Sequence, residues 1–294
     1  MDYARQTRFS DPRAHAKLFD PLPDDPRGIG EVIRNIVVHY RASGIPFELE
    51  RLAEIDSRWA DRLLDADRSR FDTPLTEPRA PEQRIVGCCR DFTLLTVAAL
   101  RHKGIPARSR VGFADYLGPD WHYDHVVAEY WDGARWTAID SQVDRYVDLA
   151  PGGLRTAAQV WSEHRRGDLD VESFGVDPGD HFNRGSWFVR NYVISELAHR
   201  RGDELLLWDL WGGMYLTLGY DLEMIDEVAD LLQSADAGDS RAEEKLAGIY
   251  ADDERLHPGV QVECLSPSKP SLSVFTVDLE RRQQVESRES IRRR

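Results

Sequence analysis

The chain has 294 residues, of which 41% are hydrophobic and 31% are charged, and its net charge is −14. That length is enough for a substantial core in one elaborated domain or in two. The acidic balance argues against a general nucleic-acid or anionic-membrane binder. No apolar run approaches the ~18 residues of a membrane span, and the start lacks a signal-peptide pattern. Three cysteines do not make a disulfide framework, so a reducing cytoplasm is the expected location.

The first 80 residues are predicted to be mainly helical. Ser10-Asp11-Pro12 is a typical helix start, because a capping side chain precedes a proline that fits the first turn. Apolar residues at helical spacing predict further helices over about 28–42 and 49–63. The segment 72–81 contains three prolines and is predicted to be a loop.

The stretch that organises the chain begins at Gly87 and runs through two cysteines into a helix predicted over 89–103. Its apolar residues, among them Phe92, Leu95 and Val97, leave almost no polar face, so this helix is expected to be buried on most sides. Asp132-Gly133 farther along is a strong β-hairpin signal. The elements predicted between these points are a strand over 107–113, a loop over 116–124, and hairpin strands over 125–131 and 135–140.

The second half is predicted to be helical with little strand. The predicted helices cover 156–166, 187–200, 204–218, 222–232 and 241–250, with a loop over 174–186 and a further strand over 272–279. The last residues are expected to be mobile. The predicted organisation is a helical N-terminal region 1–80, a catalytic core 81–150, a helical C-terminal region 151–262 in the same domain, and a partly mobile tail 263–294.

Cys89 lies where the loop becomes the buried helix, and such a position activates a thiol. The free N–H groups and the positive dipole end of a first turn lower the pKa of a cysteine, and the thiolate is the nucleophilic form. The backbone N–H of Cys89 is also free to bind an oxyanion. Gly87 lets the chain turn tightly and a substrate approach. The competing interpretation is a small buried core thiol, since free cysteines are commonly buried.

The predicted hairpin supplies a base and a carboxylate. If Asp132-Gly133 is a two-residue turn, His125 and Asp140 stand directly opposite on one face, with Cβ atoms ~4.5–5.5 Å apart. At that separation a carboxylate can hold an imidazole N–H, although a structural cross-strand hydrogen bond would use the same pair. A bulge at Gly133 would make the pair diagonal but leave it within reach. His122 is a competing base, but it falls in the loop with no comparable carboxylate partner. Asp124 is expected to point to the face opposite to His125.

A cysteine on a helix, followed by a histidine and an aspartate on adjacent strands, is the arrangement of a thiol acyl-transfer triad. The motifs Gly-x-Cys-Arg-Asp-Phe-x-Leu-Leu and His-Val-Val-Ala-Glu-Tyr-Trp-Asp-Gly-x-x-Trp-x-x-x-Asp resemble the core of the transglutaminase-like superfamily over about 84–142. The flanks resemble bacterial transglutaminase-like proteins of this size. The resemblance implies an α+β fold with a papain-like core, in which the cysteine helix packs on an antiparallel sheet, and large helical N- and C-terminal additions. It assigns the catalytic roles to Cys89, His125 and Asp140.

The resemblance leaves two details of the site to be decided. Cys88 replaces the small or polar residue usual before the nucleophile, but the offset from Gly87 and the Arg-Asp-Phe that follows favour Cys89. The family often uses an upstream side chain as second oxyanion donor. Gln83, six residues before Cys89, is one candidate for that role and Trp121 is another, and Gly87 and Cys88 are expected to border the cleft.

These features predict a thiol-dependent acyl-transfer enzyme acting on an amide or other acyl carbonyl of a peptide, protein or small substrate. The acyl group then passes to water, as in a peptidase or amidase, or to an amine; the sequence does not choose between them. No metal or cofactor is implied. Adjacent cysteines chelate poorly and no Cys-x-x-Cys is present, which disfavours a zinc site made of Cys88, Cys89, His122 and His125.

Two alternatives share the motifs. The first is a non-catalytic binding module that keeps the fold and holds a peptide or protein partner in its cleft. The second is an amide-forming enzyme that works on carrier-bound thioesters in a biosynthetic pathway. The acidic surface and the helical flanks do not discriminate among these functions, and the oligomeric state is not predicted.

Overall fold

The computed structural model describes residues 1–147, 149, 152–215, 221–269 and 273–285. Within them the α-helices are α1 (Pro26–Ile36), α2 (Leu49–Leu52), α3 (Ala60–Arg68), α4 (Cys89–His102), α5 (Ala157–Arg166), α6 (Gly185–Arg200), α7 (Leu222–Asp236) and α8 (Ser240–Asp252). The strands are β1 (Val37–His39), β2 (Ile85–Gly87), β3 (Ala107–Ala114), β4 (His122–Trp131), β5 (Trp136–Asp140), β6 (Arg145–Val147), β7 (Leu154–Thr156), β8 (Phe174–Gly175), β9 (Asp209–Leu210), β10 (Gln261–Cys264), β11 (Phe275–Asp278) and β12 (Gln283–Val285). Short 3-10 helices cover Arg13–Phe19, Ala53–Asp56, Pro81–Gln83 and Gly212–Met214.

A central antiparallel sheet in the order β6-β5-β4-β3-β7 positions the candidate site, and β8 pairs in parallel with the start of β4. Helix α4 packs on β3 and β4, and α6 packs on β3. The predicted α+β fold, with a buried cysteine-bearing helix on an antiparallel sheet and helical additions, is confirmed. The strand predictions for this region are also confirmed, with β4 starting three residues earlier than expected.

Helix α4 is buried because its sequence leaves almost no polar face. Every residue from Cys89 to Arg101 is buried. Polar side chains of the helix form hydrogen bonds inside the protein. The Thr93 hydroxyl, for example, donates to the carbonyl of Val126 in β4 at 2.8 Å. The helix ends at His102, one residue before the predicted end, and Gly104 follows with a φ of +77° that suits glycine.

The predicted helix over 28–42 is wrong in its second half. Helix α1 ends at Ile36, and the next three residues form β1, which pairs in parallel with β2. Val37 and Val38 are β-branched and fit a buried strand better than a helix end. The pairing brings His39 beside Gly87, two residues before Cys89.

The predicted helix over 49–63 is broken into α2, a 3-10 turn and α3, with extended chain from Ser57 to Trp59. The break leaves backbone carbonyl groups free to accept hydrogen bonds from Arg90. The buried guanidinium of Arg90 donates to the carbonyl oxygens of Ser57, Arg58 and Glu204. A continuous helix would have used the first two carbonyls internally. A long-range requirement of Arg90 therefore overrides the local helical pattern.

The predicted helix over 204–218 is also wrong. The described part of this segment contains only the short β9 and the 3-10 turn at Gly212–Met214, while residues 216–218 lie outside the described residues. Two buried carboxylates in this non-helical segment form ion pairs with arginines far away in the sequence. Glu204 pairs with Arg101 at 3.0 Å, and Asp209 pairs with Arg58 at 2.6 Å. The apolar composition of this segment reflects its burial and does not indicate a helix.

The remaining helix predictions are confirmed as α5 to α8, each within a few residues of its predicted bounds. The strand predicted over 272–279 is confirmed as β11, although Leu272 itself lies outside the described residues. Strands β12-β11-β10-β9 form a second antiparallel sheet. One hydrophobic cluster includes buried side chains from Phe9 to Leu279. No helix in the described part of the chain is long and apolar enough to span a membrane.

Candidate active site

The turn from β2 into α4 is fixed by a capping box. Cys88 is the N-cap residue; its backbone N–H donates to Oδ2 of Asp91 at 2.9 Å, and its sulfur accepts from the Asp91 backbone N–H. Asp91 is fully buried and also accepts from Arg90 at 3.0 Å. Gly87 is required here, because a Cβ at that position would lie 2.9 Å from the Asp91 carboxylate. Asp91 thus caps its own helix.

The two adjacent thiols have different surroundings. The Cys88 sulfur accepts hydrogen bonds from the backbone N–H groups of Arg90 and Asp91, and its thiol donates to the sulfur of Cys89. That donation lowers the pKa of Cys89 to about 6, although burial opposes the shift. The same hydrogen bond, together with burial, raises the pKa of Cys88 well above its usual value. Cys89 is therefore the thiol that ionises near neutral pH.

Helix geometry leaves the N–H groups of a first turn without intrahelical acceptors. The Asp91 N–H donates to the Cys88 carbonyl at 2.9 Å, and the Arg90 N–H donates to the Cys88 sulfur. The N–H of Cys89 has no acceptor among the described residues. This free donor lies next to the sulfur that would attack a carbonyl carbon, where an oxyanion would form.

His125 and Asp140 meet, but not as directly opposite partners. The register of β4 and β5 pairs Ala128 with Ile139 and Trp131 with Trp136, which places His125 diagonally from Asp140. The expected turn at Asp132-Gly133 is wrong by one residue. The turn is centred on Gly133-Ala134, because the Asp132 carboxylate accepts from the N–H groups of residues 134 and 135.

The diagonal pair still forms a close contact. Nε2 of His125 lies 2.7 Å from Oδ2 of Asp140, and each side chain is 2% exposed. A register shift of two residues keeps both side chains on the same face of the sheet, since side chains alternate with a period of two. The two Cβ atoms of a diagonal pair are farther apart than those of an opposite pair, and the lengths of the imidazole and carboxylate side chains bridge the difference.

Asp140 accepts two further hydrogen bonds. The Tyr116 hydroxyl donates to Oδ2 at 2.6 Å, and the backbone N–H of Gln142 donates to Oδ1 at 2.9 Å. Burial alone would raise the pKa of Asp140, but the charge of His125 and these donors hold it below the usual value. The carboxylate therefore stays ionised, and its position is set by three separate elements of the chain.

Cys89 interacts with His125, and this interaction shifts the pKa values of both groups. Asp140 occupies Nε2 of the ring, so Nδ1 is the nitrogen left for Cys89. Burial would lower the pKa of His125, but the negative charge of Asp140 and the bond to Cys89 raise it well above its usual value of 6.5. A lowered thiol pKa beside a raised imidazole pKa favours a thiolate–imidazolium pair.

The other residues expected at the site lie elsewhere or are already engaged. Gln83 is exposed in the 3-10 turn before β2, at the opposite end of that strand from Cys89. Trp121 is buried and its indole N–H donates to the carbonyl of Gly175 at 3.1 Å. The expectation that His122 has no carboxylate partner is wrong: Nδ1 lies 2.5 Å from Oδ1 of Asp115, and the ring stacks on Phe174.

Three polar residues near Cys89, His125 and Asp140 were not predicted from the sequence. Tyr116 was predicted to lie in a loop and His39 in a helix, and Tyr192 was not predicted to be the partner of Asp124. The hydroxyl of Tyr192 in α6 donates to Oδ2 of Asp124 at 2.5 Å. Only a parallel pairing of β1 with β2 places His39 near the site, and no local pattern indicates it. Among the described residues, no group of three or more metal-binding side chains is present.

Comparison with known proteins identifies the family of this region. Residues 57–141 match the transglutaminase-like superfamily. These residues form a transglutaminase-like domain. Within that domain lie β2, α4, β3, β4 and β5, and so also Cys89, His125 and Asp140. At the level of the family, the match supports a papain-like cysteine enzyme.

A search of curated proteins finds no significant match. Among solved structures, a protein described as a candidate cysteine protease from Cytophaga hutchinsonii is similar at 22% sequence identity with a TM-score of 0.33. The similarity covers 53% of this chain and 47% of that one, so the chain spans about half the length of this neighbour.

Proposed function

We propose that the chain is a thiol-dependent acyl-transfer enzyme with Cys89 as nucleophile, His125 as acid–base and Asp140 as the residue that orients His125. The observation that carries the proposal is that His125, whose Nε2 lies 2.7 Å from the Asp140 carboxylate, also interacts with Cys89. The opposite pKa shifts of Cys89 and His125 support an ion pair at neutral pH. A buried core thiol would have a raised pKa, as Cys264 has.

In the proposed reaction the Cys89 thiolate attacks the carbonyl carbon of an amide or other acyl substrate. The carbon–sulfur bond forms while the carbonyl π electrons move to oxygen, which the Cys89 N–H stabilises. Collapse of this intermediate expels the leaving group, which takes a proton from the His125 imidazolium. Water or an amine then gives a proton to His125 and attacks the thioester, releasing Cys89 thiolate and the acid or amide product.

The substrate is proposed only by class: a peptide, a protein or a small acyl compound. Hydrolysis, transfer to an amine and amide formation from a carrier-bound thioester use the same three residues. The contacts at Cys89 do not separate them, since water access and an amine pocket decide the outcome.

One observation favours a second function. Cys89 is only 5% exposed, and a non-catalytic binding module would have no need of an accessible sulfur. Against this, a hydrogen-bonded triad with a depressed thiol pKa has no evident use in a module that only binds a partner.

The test is acetylation by p-nitrophenyl acetate, a small activated ester. We expect a burst of p-nitrophenolate equal to the enzyme concentration and a single acetyl group on Cys89, located by peptide mass spectrometry. Cys88→Ser should retain the burst, and Cys89→Ser should lose it. Adding hydroxylamine or a primary amine during turnover then distinguishes transfer from hydrolysis. Absence of a burst, with no acetyl group on Cys89, would favour the binding module.

A further inference from the structure

We infer that the imidazole of His39 is the second hydrogen-bond donor to the oxyanion formed when Cys89 attacks a carbonyl. The inference rests on the proposed function and adds a catalytic residue to it. One donor, the Cys89 N–H, is present in the first turn of α4. A tetrahedral intermediate is better stabilised by two preorganised donors, and removing one such donor typically costs about 100- to 1,000-fold in rate.

The position of His39 follows from the pairing of β1 with β2. His39 pairs with Gly87, and the ladder continues with the Tyr40 N–H donating to the Gly87 carbonyl at 2.9 Å. Paired strands lie about 4.8 Å apart, so the backbone of His39 runs beside the turn that leads into Cys89.

Alternation along β1 fixes the face on which His39 lies. Val38 packs with Val86 and Ile55 in a small cluster on one face, whereas Val37 belongs to the main core that contains α4. His39 follows Val37 by two residues and therefore lies on the α4 face. Its electrostatic coupling to both His125 and Asp140 is consistent with that placement.

The hydrogen bonds of His39 fix its tautomer. Nδ1 accepts from the backbone N–H groups of Arg41 and Ala42, each at 3.1 Å. A neutral ring with Nδ1 as acceptor carries its proton on Nε2, which becomes a donor. No acceptor for Nε2 is found in the part of the chain that the structure describes. His39 thus presents an uncommitted N–H donor on a ring that two backbone N–H groups hold through Nδ1.

The same surroundings keep His39 neutral. Burial, together with the proximity of His125 and of Arg41, lowers the pKa of His39 to about 4. At neutral pH the ring therefore donates a hydrogen bond without carrying a charge, so it does not repel the His125 imidazolium. A donor that is neutral and preorganised stabilises developing negative charge without first being reoriented.

Other donors around the site are already committed. The Tyr116 hydroxyl donates to Asp140, the Tyr192 hydroxyl donates to Asp124, and the Trp121 indole donates to Gly175. Gln83 is exposed at the far end of β2. One competitor remains: the Tyr40 hydroxyl accepts from Arg41, which leaves its own O–H free to donate.

The test compares two reactions of Cys89 in the full chain. Acetylation by p-nitrophenyl acetate passes through an oxyanion, whereas alkylation by iodoacetamide is a displacement at carbon that forms none. His39→Gln retains an N–H donor, and His39→Met matches glutamine in shape but has no donor. Tyr40→Phe tests the competing hydroxyl, and His102→Gln and His102→Met, at the other end of α4, serve as controls.

We expect His39→Met to lower the acetylation rate constant about 100-fold while changing alkylation by less than about threefold. His39→Gln should acetylate at least about tenfold faster than His39→Met, and the His102 and Tyr40 variants should match the wild type. If His39→Met does not fold, His39→Phe replaces it as the variant without a donor.

Equal acetylation of the wild type and His39→Met would overturn the role of His39 and leave the proposed function intact. A parallel fall of acetylation and alkylation would overturn it too, because it would show that His39 acts on the thiolate. Loss of acetylation in Tyr40→Phe alone would transfer the role to Tyr40. Absence of acetylation in the wild type would overturn the proposed function itself, and the role of His39 with it.

Discussion

The thiol of Cys88 donates a hydrogen bond to the sulfur of Cys89, and this contact gives two neighbouring cysteines opposite pKa shifts. A cysteine in the position before the nucleophile therefore has a structural explanation. It caps α4 through its sulfur, and it stabilises the thiolate that follows it. Both effects depend on a side chain that accepts and donates at once, as a thiol or a hydroxyl does.

The pH dependence of alkylation follows from this contact. With a pKa of about 6, about nine-tenths of Cys89 is thiolate at pH 7, against about one-hundredth for a thiol with the usual value of 9.0. We expect iodoacetamide to label Cys89 ahead of Cys88 and Cys264, with a rate that falls as the pH drops through about 6. Mass spectrometry of quenched samples measures the three rates separately.

Variants of His125 and Cys88, the two residues that interact with Cys89, test the cause of its lowered pKa. His125→Ala should slow the labelling of Cys89 at pH 7 by about tenfold or more, because it removes a hydrogen bond and a positive charge. Cys88→Ala should move the midpoint upward, whereas Cys88→Ser, which can still cap and donate, should shift it less. Equal and slow labelling of all three cysteines in the wild type would contradict the assigned geometry.

Tyr116→Phe removes one donor from Asp140 and keeps the ring. We expect the free energy of unfolding at pH 7 to fall by about 1.5–3 kcal/mol, the range for a hydrogen bond to a charged group. The Tyr116 bond lowers the pKa of Asp140, so its contribution is present while Asp140 is ionised and is lost as the pH falls below 3.8. Denaturant titrations of both proteins at several pH values measure the difference.

Tyr146→Phe is the matched control, because that side chain is exposed. Its free energy of unfolding should stay within about 0.5 kcal/mol of the wild type. A Tyr116→Phe difference that persists unchanged in acid would show that the hydroxyl acts on something other than the ionised carboxylate.

Two glycine-to-alanine changes should have opposite signs. Gly87→Ala places a Cβ 2.9 Å from the Asp91 carboxylate, so we expect a loss of about 1–3 kcal/mol in unfolding free energy and slower alkylation of Cys89. Gly248 lies within α8 with open space around it, and Gly248→Ala should stabilise the protein by about 0.5–1 kcal/mol. Similar effects at the two positions would argue against the capping geometry described for Asp91.

Two aspartates that pair with arginines should differ strongly in their contribution to stability. Asp209 pairs with Arg58 at 2.6 Å with both side chains buried, so Asp209→Ala should cost about 3–5 kcal/mol by leaving a buried guanidinium without its partner. Asp177 pairs with Arg41 at 3.4 Å, and both side chains are more than 40% exposed. Asp177→Ala should therefore cost less than about 1 kcal/mol. Chemical denaturation checks both values, and a loss for Asp177→Ala as large as that for Asp209→Ala would be inconsistent with this assignment.

The contact between His125 and Asp140 was predictable from the sequence even though the hairpin register was not. Asp132 starts the turn with its own carboxylate instead of occupying the turn's centre, so the pairing of β4 and β5 moves by two residues. A shift by an even number leaves His125 and Asp140 on the same face. A shift by one residue would have separated them, and the prediction would then have failed.

The errors in the fold share a physical origin. Segment 204–218 and the break before α3 are shaped by Arg58, Arg90 and Arg101, whose partners are far away in the sequence. Local periodicity carries no information about such contacts. His39 was assigned to a helix for the same reason, because β1 exists only by pairing with a strand 48 residues later.

Because Cys89 is buried, the width of a reagent should determine whether it can reach the sulfur. At 5% exposure, a slim electrophile has access that a bulky one lacks until the surrounding chain moves. A ladder of thiol reagents of increasing width, from iodoacetamide to large aromatic maleimides, would thus measure the opening of the cleft directly. The width at which labelling stops would set an upper limit on the acyl groups that can reach Cys89.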